Sequence, residues 1–347
     1  MKCCKPSGGT NTRPRLSIVV PCYNEEEVLP ETCRRMKSLI ASLTTERKVS
    51  HNSAVYFIDD GSADQTWSLI EKFVANSRHV KGIKLSRNRG HQNALVAGLF
   101  SAEGDIIVSI DADLQDDIGA IRDMIDRFHD GAEIVYGIRH KRENDSFFKR
   151  ITANYFYRIM RALGAESVHN HADYRLMSRR AIESLKQYRE VNLYLRGIIP
   201  LLGFRSEVVY YTRATRFAGK SKYPLRKMVA LALEAITSFS VVPLRLITCL
   251  GFAVFLGTMV ISLWAAWIRF FSNETVPGWT SVVLPMYLLG GVQIFCIGML
   301  GEYIGKTYIE VKRRPRFFIE KFVSHQAITI SQPVSLDDRR LMSPVAD

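Results

Sequence analysis

The chain has 347 residues, of which 47% are hydrophobic and 23% charged, and its 47 Lys and Arg against 34 Asp and Glu give a formal net charge of +13. This apolar content excludes a disordered or low-complexity chain, and the charged content argues against a polytopic transporter. A mean hydropathy of −0.01 therefore indicates that charged and apolar residues are segregated along the sequence.

The N-terminal part of the chain alternates between short apolar, β-branched runs and amphipathic stretches. Residues 1–14 lack the apolar run of a signal peptide and are expected to be a flexible N-terminus. The runs predicted to be strands are 16–20, 55–58, 82–85, 106–110 and 134–137. The stretches predicted to be helices are 26–43, 64–75, 91–102 and 118–129. This order predicts an α/β domain with a mostly parallel sheet that helices cover on both faces.

Three polar motifs directly follow predicted strands. They are PCYNE at 21–25, DDGS at 59–62 and DADLQ at 111–115. Asp-Gly-Ser alone is a common turn, and Asp-x-Asp alone occurs by chance in acidic loops. Ligands of parallel sheets bind beyond the carboxyl ends of the strands, so the three motifs together predict one polar crevice.

The third motif has the chemistry of a divalent-metal site. Two carboxylates, Asp111 and Asp113, are followed by the amide oxygen of Gln115. Mg²⁺ and Mn²⁺ prefer such oxygen ligands and keep positions open for substrate phosphates. The glycine-rich fingerprints of dinucleotide oxidoreductases and P-loop phosphotransferases are absent from the sequence.

Two apolar runs in the C-terminal part predict transmembrane helices. They span 246–268 and 282–300, and the connector at 272–281 has no Lys or Arg. Basic residues flank the pair at 213–227 and 306–321, which by the positive-inside rule places both flanks on the cytoplasmic side. A pair of buried core helices is the alternative interpretation. The basic, apolar stretch at 147–163 is consistent with an interfacial helix on anionic lipid or with an ordinary packed helix.

The sequence resembles a known enzyme family through the three strand-end motifs and several later ones. The later motifs are RNRG at 87–90, DYRLMS at 173–178, GKSKY at 219–223, EAITSFS at 234–240 and GEYIGKTY at 301–308. Together these motifs resemble family-2 glycosyltransferases of the GT-A fold. Within that family they are most similar to the GtrB-like polyprenyl-phosphate (bactoprenol) glucosyltransferases, relatives of dolichol-phosphate mannose synthase. Two positions depart from the family pattern, with Asp117 before Ile118 in place of a common proline and Ala172 in place of a common glycine.

The resemblance implies a role for individual residues. The nucleotide sugar would be bound by Pro21, Tyr23, Glu25, Asp60, Asp111 and Gln115. The metal, Mg²⁺ or Mn²⁺, would be held by Asp111, Asp113 and Gln115. The acceptor phosphate would be bound by Arg139, Arg150, Arg175, Lys220, Ser221 and Lys222. Asp173 is expected closest to the chemistry, with Asp111 and Asp113 as its catalytic partners; its alternative role is a structural ion pair with Arg175 or another arginine.

The reaction implied is transfer of a hexose, most simply glucose from UDP-glucose, to undecaprenyl or another polyprenyl phosphate, with inversion and a divalent metal. It would serve lipopolysaccharide or cell-surface glycan modification. The family also implies a homo-oligomer, with a tetramer as one candidate. Mannose, GlcNAc or aminoarabinose remain alternative sugars. A non-catalytic basic membrane anchor is the alternative of another class, and nucleic-acid binding is not expected because the basic residues concentrate beside the apolar runs.

The organisation expected is therefore a flexible N-terminus at 1–14, a cytoplasmic GT-A (Rossmann-like) nucleotide-sugar domain at 15–215, and a juxtamembrane interfacial helix at 216–244. Two transmembrane helices at 245–304 and a basic C-terminal segment and tail at 305–347 complete the chain. The expected location is the bacterial inner (cytoplasmic) membrane, as a multi-pass protein with both termini in the cytoplasm.

Overall fold

The computed structural model describes residues 13–139, 171–190, 195–212, 242–271, 279–325 and 327–329. The chain divides into two compact units. The sheet unit comprises Met1–Asn144, Val168–Lys222 and Arg314–Asp347, and the helical unit comprises Asp145–Ser167 and Tyr223–Arg313. The predicted interfacial segment at 147–163 and residues 216–241 of the segment predicted at 216–244 lie outside the described residues, while residues 242–244 begin a described helix.

The described part of the sheet unit alternates strands and helices, as the sequence pattern predicts. Its strands are β1 (Leu16–Cys22), β2 (Ala54–Asp59), β3 (Val80–Leu85), β4 (Ile106–Ser109), β5 (Ile134–Arg139), β6 (His171–Ser178), β7 (Ser206–Tyr211), β8 (Ile319–Ser324) and β9 (Ala327–Thr329). Its helices are α1 (Leu29–Thr45), α2 (Thr66–Ala75), α3 (His91–Ser101), α4 (Ala120–His129), α5 (Arg179–Leu185) and α6 (Leu195–Leu201).

The strands form one mixed sheet in the order β7-β5-β6-β4-β1-β2-β3-β8-β9. The strands β3, β2, β1 and β4 are mutually parallel, and β5 pairs in parallel with β7. The strand β6 is antiparallel to both β4 and β5, and β8 is antiparallel to β3. The α/β prediction is thus confirmed, whereas the expectation of a mostly parallel sheet is corrected to a mixed one, because β6, β8 and β9 were not foreseen.

The parallel centre of the sheet is buried on both faces. Every residue of β1, β2 and β4 is buried, which explains why these strands read as continuous apolar runs. Helix α3 packs closely against this centre, since a Cβ added at Gly98 would clash with Val19 Cγ1. Burial of each large aliphatic side chain stabilises the fold by about 1.5–3 kcal/mol. This rigid centre fixes where the loops after β1, β2 and β4 begin.

Helix α1 begins three residues later than predicted. Pro30 stands in its first turn, where the missing N–H costs no intrahelical hydrogen bond. The residues before it remain a loop, and the backbone N–H of Glu25 donates to Thr66 Oγ1 at 2.9 Å. The loop is therefore held by α2 and stays available at the end of β1.

The helical unit contains α7 (Val242–Phe271) and α8 (Trp279–Lys312) among its described residues. Both helices expose large apolar side chains, including Phe252, Leu263, Trp267, Ile294 and Ile297. Among the residues that the structure describes, no helix has the length and apolar character that crossing a membrane requires. The transmembrane helices predicted at 246–268 and 282–300 are therefore not supported. The second apolar run continues within α8 into turns that carry Glu302, Lys306 and Glu310.

Candidate functional site

The loops after β1 and β2 are joined at the carboxyl edge of the sheet. Cys22 and Asp59, the last residues of these parallel strands, are register partners. The backbone N–H of Asn24 donates to Ser62 Oγ at 3.0 Å, and the N–H of Ala63 donates to Asn24 Oδ1 at 2.9 Å. Two motifs separated by more than thirty residues therefore form one wall of a single site.

Asp60 connects this wall to the segment that precedes α3. Its two carboxylate oxygens accept the backbone N–H groups of Arg89 at 2.7 Å and Gly90 at 2.8 Å. Burial raises the pKa of Asp60, and these two donors oppose that rise. Gly61 allows the close approach, because its φ is +70° and an added Cβ would lie 2.6 Å from Asn88 N. The predicted nucleotide-binding carboxylate thus also organises the loop around it.

The other residues predicted to bind the nucleotide lie along the same wall. Pro21 belongs to β1 itself, since the strand extends to Cys22, and Tyr23 is exposed directly after it. Asp59 is fully buried; its Oδ1 accepts the N–H of Ser62 at 3.1 Å, and burial raises its pKa. Tyr23 is therefore exposed and Glu25 partly buried in the loop, whereas Asp59 supports the turn.

The acidic loop after β4, residues 111–115, is held by helix α1 and leaves two carboxylates partly exposed. Thr32 Oγ1 donates to the carbonyl oxygen of Ala112 at 2.9 Å, and the N–H of Gln115 donates to Asp113 Oδ1 at 3.2 Å. Asp111 and Asp113 are both partly exposed, while Gln115 is buried. Burial raises the pKa of Asp111, nearby His91 opposes the rise, and neighbouring carboxylates including Asp113 add to it. The site therefore favours a bound cation.

These oxygens fit a divalent metal that substrate phosphates complete. Within the described residues, no group of three or more His, Cys, Asp or Glu side chains is placed to enclose a metal ion. Mg²⁺ sites in phosphate-transferring proteins commonly use one or two carboxylates, and substrate oxygens and water supply the rest. Asp111 and Asp113 match that donor set.

Strand β6 brings Asp173 to the acidic loop. Because β6 runs antiparallel to β4, its first residues lie beyond the carboxyl end of β4, where Ser109 pairs with Arg175. His91, the first residue of α3, lies between the two carboxylates. Its Nε2 is 3.5 Å from Asp111 Oδ1 and 3.6 Å from Asp173 Oδ2. Burial lowers the pKa of His91, but the two carboxylates outweigh burial and raise it.

Asp173 is the shared anion of two arginines. Arg175 Nη2 donates to Asp173 Oδ1 at 2.6 Å, and Arg196 donates to both oxygens, from Nε at 3.2 Å and from Nη2 at 3.0 Å. Burial alone would raise the pKa of Asp173, but His91 and the two arginines hold it well below its usual range. Asp173 is therefore a carboxylate at every pH at which an enzyme normally works.

A second network fixes the far end of the acidic loop. Tyr211 donates from its hydroxyl to Asp116 Oδ1 at 2.7 Å, and Arg139 donates from Nε to that hydroxyl at 3.1 Å. Arg139 Nη2 also lies 3.3 Å from Asp116 Oδ1. The hydroxyl of Tyr174 donates to the carbonyl oxygen of Asp117 at 2.8 Å. Strand β6 therefore also holds the main chain at Asp117.

The structure brings together only some of the residues predicted to act. Asp111, Asp113 and Asp173 share the site, and Arg139 holds its edge. Arg175 is 1% exposed, so it supports Asp173 from inside the sheet. Arg150, Lys220, Ser221 and Lys222 lie outside the described residues. Sequence reasoning missed His91 and Arg196; the RNRG motif directly before His91 was the available signal for the first, and no local pattern marked the second.

An α/β sheet with paired carboxylates at its carboxyl edge is the arrangement expected of a sugar-nucleotide-dependent transferase. The sequence pattern of Glycosyl transferase family 2 matches residues 17–186. The chain belongs to Glycosyl transferase family 2 and is a glycosyltransferase. The predicted family resemblance and the GT-A type of the α/β sheet are confirmed.

Relatives match nearly the whole chain. It is 49% identical over 311 residues to the uncharacterized glycosyltransferase YkoT of Bacillus subtilis (strain 168), a match that covers 89% of this chain and 92% of that protein. It is 38% identical over 308 residues to the prophage bactoprenol glucosyl transferase homolog of Escherichia coli (strain K12), covering 88% and 99%. The crystal structure of mannosyl-3-phosphoglycerate synthase from Rubrobacter xylanophilus is similar with a TM-score of 0.45 and 14% identity, over 65% of this chain and 73% of that one.

Proposed function

We propose that the protein transfers glucose from UDP-glucose to the phosphate of undecaprenyl or another polyprenyl phosphate, with inversion at the anomeric carbon and dependence on Mg²⁺ or Mn²⁺. The observation that carries the proposal is the placement of Asp111 and Asp173 around His91 Nε2 at the carboxyl edge of the sheet. The name of the Escherichia coli relative, which is 38% identical over most of the chain, supports a bactoprenol acceptor and glucose.

The donor would lie along the wall formed by the first two loops. Tyr23 and Glu25 would contact the uridine, and Asp60 would hold the loop beside it through the N–H groups of Arg89 and Gly90. Asp111 and Asp113, with Gln115, would hold the divalent ion. The ion, when bound, neutralises charge on the diphosphate leaving group. The loop's anchors, Thr32 below and Tyr211 at the edge, keep these oxygens in place before the donor arrives.

The chemistry needs little proton transfer from the protein. A phosphate oxygen of the acceptor forms the new bond to the anomeric carbon, and the bond from that carbon to the diphosphate oxygen breaks, so UDP leaves with the electron pair. The acceptor phosphate is already anionic near neutral pH, so orientation and charge stabilisation can supply most of the rate. Asp173 fits this mechanism as an orienting carboxylate, because its low pKa makes it a poor general base.

A lipid acceptor requires the protein to work at a membrane surface. We place it at the cytoplasmic face of the bacterial inner membrane, with both chain ends on that side. The exposed apolar side chains of α7 and α8, among them Phe252, Trp267 and Ile294, support contact with lipid. The basic residues at 306–321 support contact with anionic headgroups. A homo-oligomer, with a tetramer as the candidate, is part of the same proposal.

The test is a transfer assay on the purified full chain in detergent. Polyprenyl phosphate is supplied with a panel of UDP- and GDP-sugars, including the glucose, GlcNAc, mannose and aminoarabinose donors, with and without Mg²⁺ or Mn²⁺. We expect product with UDP-glucose and a divalent ion. Preference for another sugar nucleotide would correct the donor, and product that keeps the donor's anomeric configuration would refute single displacement.

Variants of the acidic loop make the assay specific to this site. Asp111→Ala and Asp113→Ala should each lower transfer by at least about 100-fold, the size expected when a preorganised electrostatic contact is lost. Asp123→Ala, which removes an exposed carboxylate from α4, is the matched control and should keep wild-type transfer. Full activity in both loop variants, or no transfer from any donor by the wild-type chain, would overturn the proposed function.

A further inference from the structure

The side chain of Asp111, the first ligand proposed for the metal, is held at a single point. It follows β4 by two residues, and its side chain is 34% exposed. Within the described part of the chain, no side chain other than that of His91 lies within hydrogen-bond or ion-pair distance of this carboxylate. His91 Nε2 is 3.5 Å from Asp111 Oδ1. The orientation of Asp111 before a metal binds therefore depends on His91.

The main chain on either side of His91 is fixed. The N–H groups of Arg89 and Gly90, directly before it, donate to the two carboxylate oxygens of Asp60. His91 is the first residue of α3, and in that first turn the N–H of Asn93 donates to the carbonyl oxygen of Gly90 at 3.0 Å. Because α3 packs against the buried centre of the sheet, the imidazole starts from a backbone position that the sheet determines.

Asp173 gives the imidazole a second fixed point. His91 Nε2 lies 3.6 Å from Asp173 Oδ2. The side chain of Asp173 is 10% exposed and accepts hydrogen bonds from Arg175 and Arg196, so it cannot turn freely. An ionised carboxylate only accepts hydrogen bonds, so the ring nitrogen that faces both carboxylates is the one that carries a proton. The contacts thus lead from buried Asp173 through His91 to the more exposed Asp111.

Both contacts of His91 Nε2 are longer than the upper limit of about 3.2 Å for a strong N–H···O hydrogen bond. A contact of this length orients Asp111 without binding it tightly. A divalent cation that takes the carboxylate therefore displaces only a weak interaction. His91 is suited to prepare this ligand and then to release it to the ion.

We propose that His91 is a positioning residue that holds Asp111 in the orientation needed for metal binding, with Asp173 as its support. The proposal deepens the proposed function and rests on its metal dependence. A ligand that is already held loses less rotational freedom when the ion binds, so its affinity is higher. If His91 instead acted mainly as a positive charge that opposes the ion, its removal would strengthen metal binding. The two roles predict opposite changes.

Mn²⁺ binding measures the positioning without any transfer reaction. The full chain in detergent, at one pH and with a saturating concentration of UDP, is titrated with Mn²⁺, and the free ion is followed by electron paramagnetic resonance. His91→Leu removes the N–H donor, and His91→Gln keeps one at a similar distance from the main chain. His51→Leu is the matched control, because His51 is exposed in the turn before β2, at the opposite edge of the sheet. Unfolding temperature and the KM and kcat of transfer are measured for each variant.

We expect His91→Leu to raise the Mn²⁺ concentration at half-saturation by about three- to tenfold, the factor that corresponds to immobilising one free side chain. His91→Gln and His51→Leu should stay within about twofold of wild type, and the unfolding temperatures should be similar. Transfer by His91→Leu should recover at saturating Mn²⁺, because the bound ion then orients Asp111 itself. A purely structural defect would not be rescued by the metal.

An unchanged half-saturation concentration in His91→Leu would overturn the proposal, and a lower one would show that His91 opposes the ion as a charge. Weaker Mn²⁺ binding that His91→Gln does not restore, together with a lower unfolding temperature, would make His91 a structural residue of α3 only. A wild-type chain that binds no Mn²⁺ in the presence of UDP would also refute the proposal. Failure of the proposed function has a different result, namely no transfer by a wild-type chain whose Mn²⁺ binding still depends on His91.

Discussion

Replacing Asp173 by asparagine removes the carboxylate that two guanidinium groups share. The side chain keeps its volume, so the perturbation is mainly electrostatic. Arg175 then stays in the sheet interior without its anion, whereas Arg196 can turn toward solvent. The buried partner therefore determines the cost, and the exposed partner contributes little, as surface ion pairs usually do.

The distances in the cluster give the size of the effect. Arg175 Nη2 lies 2.6 Å from Asp173 Oδ1, and at an effective dielectric constant of about 20 the attraction between two unit charges at that distance is about 6 kcal/mol. Desolvation of both groups offsets part of this attraction. The loss expected from removing one partner of a buried pair is about 3–5 kcal/mol of unfolding free energy. Asp173→Asn should therefore be among the more destabilising polar substitutions of the sheet.

This loss is measured by urea unfolding of the full chain, with wild type and variants in the same detergent. Arg175→Met and the double variant Asp173→Asn/Arg175→Met complete a double-mutant cycle, in which we expect the double variant to be more stable than the two single losses predict. The reasoning fails if Asp173→Asn costs less than about 1 kcal/mol, or if the two losses simply add.

The effect of Asp173→Asn on the unfolding free energy depends on pH. The pKa of Asp173 in the folded chain lies well below its ordinary value, so its stabilising contribution is fully present above the unfolded value of about 3.9. The contribution is lost as the pH falls from there through the folded pKa. The contribution of the Asp173 carboxylate to the difference in unfolding free energy between wild type and Asp173→Asn should be present above about pH 5 and should be lost at lower pH. Asp173 also raises the pKa of His91, and that contribution is present below the unfolded histidine value of about 6.5 and is lost as the pH rises through the folded pKa. The difference should therefore be largest at about pH 5 to 6, and a difference that does not decrease at acid pH would contradict the low pKa of Asp173.

Three further predictions concern the surroundings of the site. Gly61→Ala should cost about 1–3 kcal/mol of unfolding free energy in urea, because it combines a φ of +70° with a Cβ placed 2.6 Å from Asn88 N, and Gly203→Ala, with a φ of +68° and open space, should cost less. Tyr211→Phe should cost about 1–3 kcal/mol in the same assay by leaving Asp116 without its hydroxyl donor, and an unchanged value would show that Arg139 alone suffices. Removal of divalent ions with EDTA should abolish transfer and added Mg²⁺ or Mn²⁺ should restore it, whereas full transfer in EDTA would exclude metal dependence.

The parallel centre of the sheet was predictable because each strand is a short, fully buried apolar run that ends in a polar loop. The five predicted strands all occur, with ends shifted by up to two residues. The position of the acidic loop could be predicted for the same reason, since a residue just after a parallel strand must lie at the carboxyl edge of the sheet. Local sequence was sufficient here because both the strand and its loop are defined by adjacent residues.

The position of β6 could not be predicted in the same way, because strand order depends on contacts between distant segments. Its insertion between β4 and β5 brings Asp173 beside Asp111, and nothing in residues 171–178 specifies that neighbour. The pairing of β8 with β3 is a similar case, because the two strands are far apart in the sequence. Lys84 of β3 and Glu320 of β8 nevertheless form an ion pair, with Lys84 Nζ 3.2 Å from Glu320 Oε1. The spacing of Asp173 and Arg175, two residues apart on one strand, does place both on one face, so this ion pair was foreseeable as an alternative.

Both substrates of the proposed reaction are anionic at their phosphates, so their negative charge must be compensated in the crevice. The acids Asp111 and Asp113 would do this only through a bound cation, because they are themselves anionic. His91 lies between the acidic loop and Asp173, with its Nε2 within 3.6 Å of a carboxylate from each. Asp111→Ala should therefore weaken the binding of UDP-glucose measured in the presence of Mg²⁺, whereas Asp123→Ala should leave it unchanged.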